Sequence, residues 1–337
     1  MGNCSGKYGK SACGSLGYAF ADAMYAKKVI VITDNLVPYP LADFSISEIY
    51  VDYVVQVESI GNPAGIVSGT TKITRDPVGL VMAQYAAKVI EHSGLLKDGM
   101  SFQTGAGGAS LAAAKYLKDI MLEKGIKGSY GLGGITSYMV DMLNAGCFEA
   151  LLDVQCFDLG AVESIRTNPR HREVTASHYA SPSVRSSAVD SLDVVILGAT
   201  QIDTDFNVNV HTDSNGYIMG GSGGHSDTAA GAKMAMIIAP LPRARLSIVV
   251  DRVLTVSTPG STIDVLVTQR GIAVNPRQQE LKERLQKAGL PIVEIQDLKR
   301  IAEELTGTPK PIHLGDKVVA NVLYRDGSLL DTIKSVD

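Results

Sequence analysis

The chain has 337 residues, 45% of them hydrophobic and 20% charged, the balance of a globular protein with a sizeable core rather than of a disordered tail. Its formal net charge of −4, with no block of like charge, excludes an electrostatic footprint for nucleic acid or an anionic membrane surface. Apolar runs such as VVILGA (194–199) are far too short to span a bilayer, and the opening residues carry no basic-then-apolar signal. Cys4, Cys13, Cys147 and Cys156 form no Cys-x-x-Cys pair, so the expectation is a cytoplasmic protein with reduced thiols and no zinc site.

In chain order, CSGKYGKS (4–11) comes close to a phosphate-binding P-loop. Gly9-Lys10-Ser11 fits, but Cys4 stands where the first glycine belongs, and too few residues precede it for the strand that motif needs. Strands are predicted at KVIVIT (28–33) and DYVVQVE (52–58). The Gly/Pro/Thr-rich stretch 61–78 follows, either as a long functional loop or as the boundary dividing 1–75 from 76–337. Next come a helix at 77–93, a strand at SFQTG (101–105) and a helix at 109–124. In the last, Leu111, Ala114, Leu117 and Met121 recur at helical spacing and Gly125 supplies the stop. Further strands are read at LDVVILGA (192–199), LSIVVD (246–251) and IDVLVTQ (263–269), a helix at 276–289, and a hairpin turned by Asp326-Gly327. Short apolar strands alternating with helices indicate an α/β architecture with a mostly parallel sheet.

Three glycine loops sit where strands give way to helices. GAGGAS (105–110) lacks the acidic residue that a dinucleotide fingerprint carries about twenty positions on, so NAD binding is not expected. Gly105, Gly107 and Gly108 still let backbone N–H groups approach a ligand at a helix N-terminus, where an oxyanion or phosphate is stabilised; a plain tight turn is the alternative. GLGGITS (131–137) repeats the device, with Thr136 and Ser137 as candidate caps. Asp158, in DVQCFDLGAVES, reads as a turn or cap residue. The third loop, GGSGGHSDTAAGAK (220–233), places His225 and Asp227 beside four glycines; Asp227 is expected as the helix N-cap, and no second histidine stands at zinc-ligand spacing. Such loops suit acyl or phosphate chemistry at the ends of an open sheet.

Taken together, DGMSFQTGAGGASLAA, GLGGIT, DVQCFD, GATQIDTDFNVNV, GGSGGHSDTAAGAK and IDVLVTQRGIAVNP resemble the α subunit of citrate lyase, a citrate CoA-transferase. The likeness runs from about residue 2 to the end, and its start matches an internal part of the family's first domain, so that roughly a third of the family's chain lies outside it. The resemblance implies two CoA-transferase-like (NagB/RpiA-type) open parallel-sheet domains, the first incomplete. It implies exchange of acetyl for citryl on an acyl carrier protein, via a mixed anhydride, because YGLGGIT carries none of the nucleophilic glutamate of acetate-type transferases. The implied partners are the carrier (gamma) and citryl lyase (beta) subunits in a hetero-oligomer. No cofactor is bound tightly; the CoA-derived thiol belongs to the carrier, with CoA or acetyl-CoA as surrogate.

On this reading Gly105, Gly107, Gly108 and His225 are the catalytic candidates, the glycines as an oxyanion and carrier loop. Gly133, Gly134, Gly223, Gly224, Asp227 and Arg270 are the substrate-binding candidates, with His225 and Arg270 offered as groups facing the citrate anion. A non-catalytic scaffold subunit and a sugar-phosphate isomerase of related fold are the competing readings.

Overall fold

The computed structural model describes residues 1–66, 71–310 and 312–336. Its centre is an eight-stranded sheet. From one edge to the other the strands are Gly271–Val274, Val265–Thr268, Met234–Ile238, Val194–Leu197, Phe102–Thr104, Gly128–Ile135, Phe148–Cys156 and His171–Glu173. All pairings are parallel except the first, where Gly271–Val274 folds back on Val265–Thr268 through a two-residue turn. The sheet is therefore mixed, with one antiparallel edge strand.

Strand VVIL shows why the sheet is covered on both faces. All four residues are buried; Val194 and Ile196 join one apolar cluster, Val195 and Leu197 the other. The first cluster is closed by the helices Pro77–His92 and Gly108–Lys124. Their facing residues are mostly alanine (83, 86, 112, 113, 114), with Leu117 and Met121 filling the gaps, so the two helices pack closely. Asp76 caps the first helix by accepting from Gly79 N, and Gly125, in the left-handed region at φ 65°, ends the second. The second cluster also takes in Phe206 and helix Ile295–Thr306, which buries Ile295, Leu298 and Ala302 beside the edge strand Gly271–Val274.

Residues 1–66 form a separate parallel pair, Ile30–Thr33 with Tyr53–Gln56, and the helix Gly17–Tyr25. They join the sheet beside Phe148–Cys156. Ser15 Oγ donates to Asp153 O (2.8 Å), and Leu16 N and Ser45 Oγ donate to the two oxygens of Glu173. Gly17 makes this approach possible, since a Cβ there would lie 2.3 Å from Val174 O. The pair itself leaves Ile30, Ile32, Tyr53 and Val55 exposed. The P-loop-like stretch 4–11 does not form a strand–loop–helix: Lys10 donates to Glu58 O and Ser11 to Asp34.

Several readings change. LSIVVD is not one strand but two dipeptides in different sheets, Leu246–Ser247 and Val249–Val250. Strand Gly128–Ile135 is longer than its four glycines suggest. At Gly128 and Gly131 a Cβ would collide with Phe148 and with Met139 and Leu151, so packing of large neighbours selects glycine inside a strand. Of the boundary stretch 61–78, residues 67–70 lie outside the described residues.

Leu117 is fully buried between the alanine-rich helices. Leu117→Ala is expected to lower the unfolding free energy by about 2–5 kcal/mol, read from the urea midpoint at unchanged m-value.

Candidate functional site

Strand order fixes where a ligand has room. After Phe102–Thr104 the chain adds three strands on one side, then returns to lay Val194–Leu197 on the other. Connections leaving these two neighbours diverge, and a crevice opens at their carboxyl ends, as in other open α/β sheets. Gly105 and Gly198 flank it, clasped at the base by Gly105 N donating to Ile196 O (3.0 Å). Helix Gly108–Lys124 starts here with Gly107 as an N-cap that offers no side chain, so its first N–H groups have no intrahelical acceptor. Seventeen residues of aligned peptide dipoles favour negative charge at that end.

The glycines divide by what a side chain would meet. At Gly105 and Gly107 the nearest atoms to a built Cβ are 3.6 and 3.9 Å away; at Gly198, Gly220, Gly221 and Gly223 nothing lies within 4 Å. Internal packing does not require glycine at these positions. At Gly108 a Cβ would sit 2.9 Å from Lys72 O, and the Gly108 carbonyl accepts from Thr74 N (3.1 Å), so this glycine holds the 72–74 segment. Gly133, at φ 105°, lies flat against the Gln103 carboxamide, and Gly134 against Phe157. Both stand at the same edge of the sheet as Gly105, yet side chains of the protein fill the space in front of them. At Gly224 a Cβ would lie 2.7 Å from the ring edge of Tyr179.

His225 is buried, with both ring nitrogens in use. Nε2 donates to the Gly198 carbonyl (2.9 Å), which leaves Nδ1 to accept from Thr258 Oγ1 (2.7 Å). Burial pushes its pKa down to about 4, so near neutral pH the ring is an uncharged clasp between the glycine loop and the rim of the crevice. The helix begins at His225 with Gly224 as N-cap, not at Asp227. Asp227 lies in the first turn and takes a different partner: Arg325 Nε, 3.2 Å away at the tip of the C-terminal hairpin. Burial raises the Asp227 pKa and the guanidinium opposes it. Arg325 also donates to Ala180 O (3.2 Å). Arg270 stands exposed in the turn before Gly271, at the correct edge but three strands out from Phe102–Thr104, about 14 Å at ordinary strand spacing.

A second link joins two of the glycine loops. Gln103 Nε2 donates to Tyr179 Oη (2.8 Å), so Gly133, Gln103, Tyr179 and Gly224 form one continuous contact across the sheet end. Gln103 Oε1 is buried without a hydrogen-bond partner. Tyr179 had no sequence signal, and Arg325, although it directly precedes the Asp326-Gly327 turn, had none that pointed to Asp227. Gly198 had a weak one, as the glycine one residue before the end of the apolar run LDVVILGA. Asp158 is the cap that its position suggested, accepting from Ala161 N and Ser137 N. Ser164, His171 and Asp153 form a hydrogen-bonded row (2.9 Å each) with Cys156 Sγ on the same carboxylate, but the His171 and Asp153 side chains are wholly buried, and the row ties strands to a helix. A cavity of about 590 Å³ is lined by residues 1–60 alone and by none of the sheet-end loops.

The sheet order and its strand-end loops define a CoA-transferase-like α/β protein. The malonate decarboxylase alpha subunit of Acinetobacter baumannii shares the fold at a TM-score of 0.58 and 17% identity, over 88% of this chain and 68% of that one. The chain belongs to the citrate lyase alpha subunit family: residues 1–336 match the family described as "Citrate lyase, alpha subunit (CitF)". It is 51% identical to the citrate lyase alpha chain of Klebsiella pneumoniae and 50% identical to that of Escherichia coli, in each case over all of this chain and 66% of the relative. A crystal structure of the putative alpha subunit of citrate lyase from Streptococcus mutans, in complex with citrate, superposes with a TM-score of 0.96 at 48% identity, again over 100% of this chain and 66% of that one. The chain thus spans about two thirds of the length of these relatives.

Because the folded state holds His225 neutral down to about pH 4 while an unfolded histidine takes its proton near 6.5, stability is expected to fall as pH drops through that window. Between pH 7 and pH 4 the stability gap between the parent and His225→Gln is expected to narrow by about 3 kcal/mol, measured by urea unfolding at each pH.

Proposed function

We propose that this chain carries out the citrate CoA-transferase step of a citrate lyase, exchanging acetyl for citryl on the thiol of an acyl carrier protein. The observation that carries the reading is the crevice beside a helix N-terminus, where Gly198 faces open space and Gly105 has room for a side chain that it does not carry. The kinship supports it, as does the Streptococcus mutans structure, a complex of that protein with citrate.

In this reading a citrate carboxylate oxygen attacks the acetyl thioester carbonyl. The carbon–sulfur bond breaks, the thiolate leaves, and a mixed citric–acetic anhydride remains. The thiolate then attacks the citryl carbonyl and acetate departs. Each attack puts negative charge on a carbonyl oxygen, and the N–H groups of Gly107 and Gly108 at the helix start are suited to receive it, with Gly105 holding the turn through its bond to Ile196; removing one such donor typically costs on the order of 10²–10³ in rate. GLGGIT supplies no carboxylate for a covalent enzyme thioester, which favours the direct route. His225 acts by holding the Gly198 carbonyl and the 220–224 loop in register, while Gly133, Gly134 and Gly224 set the width of the site through Gln103, Phe157 and Tyr179. Asp227 acts through its pairing with Arg325, and Arg270 remains a candidate for contacts farther along the rim.

The partners proposed are the carrier and the citryl lyase subunits of a cytoplasmic hetero-oligomer. The separate parallel pair in residues 1–66 supports assigning 1–75 to a first domain and 76–337 to a second. Incubating the chain with acetyl carrier protein, or acetyl-CoA, and citrate is expected to yield a citryl thioester by mass spectrometry; a folded chain that yields none overturns the reading. Gly105→Ala places a Cβ at the crevice in ordinary contact with Ile196 O and Ser110 Oγ, so turnover is expected to drop at least about tenfold with the melting temperature unchanged.

A further inference from the structure

Beside Gly223 and Gly224 lies a second cavity, about 300 Å³, at the lower end of the range for small-molecule sites. Four distant stretches build it: Tyr18 from the first helix, Tyr179 and Ser181 from the segment after residue 175, the glycine loop with Asp227, and Arg325 from the hairpin tip. Convergence of segments 300 residues apart is not what a gap between loops looks like. The two tyrosine rings meet edge to face, centroids 6.5 Å apart at 87°.

The polar groups on its walls come in both kinds. Tyr179 accepts from Gln103 and keeps its own proton, because burial raises its pKa. Tyr18 Oη has no hydrogen-bond partner among the described residues, nor has the second Asp227 oxygen, Oδ2, since Arg325 engages Oδ1. Donors and an acceptor thus stand free together, and alanines at 176 and 180 with Pro182 complete an apolar wall. Arginine and aspartate cancel each other's charge. A carboxylate is acceptor-only and would meet the Asp227 oxygen with no unpaired cation to compensate. A secondary amide donates and accepts, is neutral, and comes with methylenes on either side. The cavity ends one residue from His225, whose ring touches the rim of the crevice at Gly198.

We propose that the Tyr18–Tyr179–Arg325 cavity holds the amide-bearing arm of the thiol carrier, leaving the crevice at Gly105 and Gly198 to the carboxylate substrate. This deepens the transferase reading and rests on it: the arm lies along the cavity and presents its thioester to the crevice past Gly224.

The test is calorimetric titration of the full chain with pantetheine, under reducing conditions, and separately with citrate. Ser181 lines the cavity and is part-exposed, so Ser181→Trp takes up cavity volume from a position outside the core, and Tyr18→Phe removes one hydroxyl. The pantetheine Kd is expected to rise at least about tenfold in Ser181→Trp and roughly 2–12-fold in Tyr18→Phe, the loss of one hydrogen bond. The citrate Kd is expected to stay within about twofold of the parent in both. Pantetheine affinity unmoved by both variants, or citrate affinity falling in step with it, overturns the assignment of the cavity. Citrate binding without pantetheine binding in the parent overturns it too, and leaves the citrate limb of the transferase reading standing. Binding of neither ligand sinks both.

Discussion

The return of the chain to its central strand is the constraint on which the site depends. Laying Val194–Leu197 beside Phe102–Thr104, after three strands have been added on the other side, forces the two outgoing connections apart. A single backbone hydrogen bond, from Gly105 to Ile196, closes the base of the gap, and above it the rims are glycine. Everything else at this end of the sheet serves to hold those rims. His225 grips one of them by its carbonyl oxygen, with its neutral tautomer dictated by that acceptor and by Thr258.

Glycine is used here for two opposite purposes. At Gly108, Gly133, Gly134 and Gly224 its lack of a side chain lets the protein approach itself, against Lys72, Gln103, Phe157 and Tyr179. At Gly105, Gly107 and Gly198 a Cβ would meet nothing closer than 3.6 Å, so room is left beside the backbone. The first set builds the walls and the second leaves the opening. Sequence alone treats the two alike, because a glycine-rich loop looks the same whether its neighbour is a ring or a ligand.

That difference explains what was legible beforehand. Strands such as VVIL announce themselves because burial on both faces leaves a continuous apolar run, and Asp158 announces itself as a cap because its bonding is local. The strand GSYGLGGI is hidden because its glycines answer to Phe148, Met139 and Leu151, residues 8–20 positions away in the chain. Asp227 has the type and place of a cap, yet its bond runs to a residue 98 positions on. No local pattern encodes such a partner. The same holds for Tyr179, which matters because it stands between two loops rather than because of anything beside it in the sequence. The family resemblance gives the kind of site, and the geometry distributes its parts.

The Arg325 contact has a consequence for biosynthesis. A chain grows from its N-terminus, and the central sheet is complete in sequence by Val274, some fifty residues before Arg325 emerges. During that interval the nascent protein holds a finished sheet and a glycine loop whose carboxylate is still unpaired. The hairpin Leu314–Val336 then arrives as a late fastener and brings the guanidinium across to Asp227. Ribosomal pausing between Thr306 and Arg325 would therefore leave the sheet and its covering helices complete while withholding the guanidinium from Asp227.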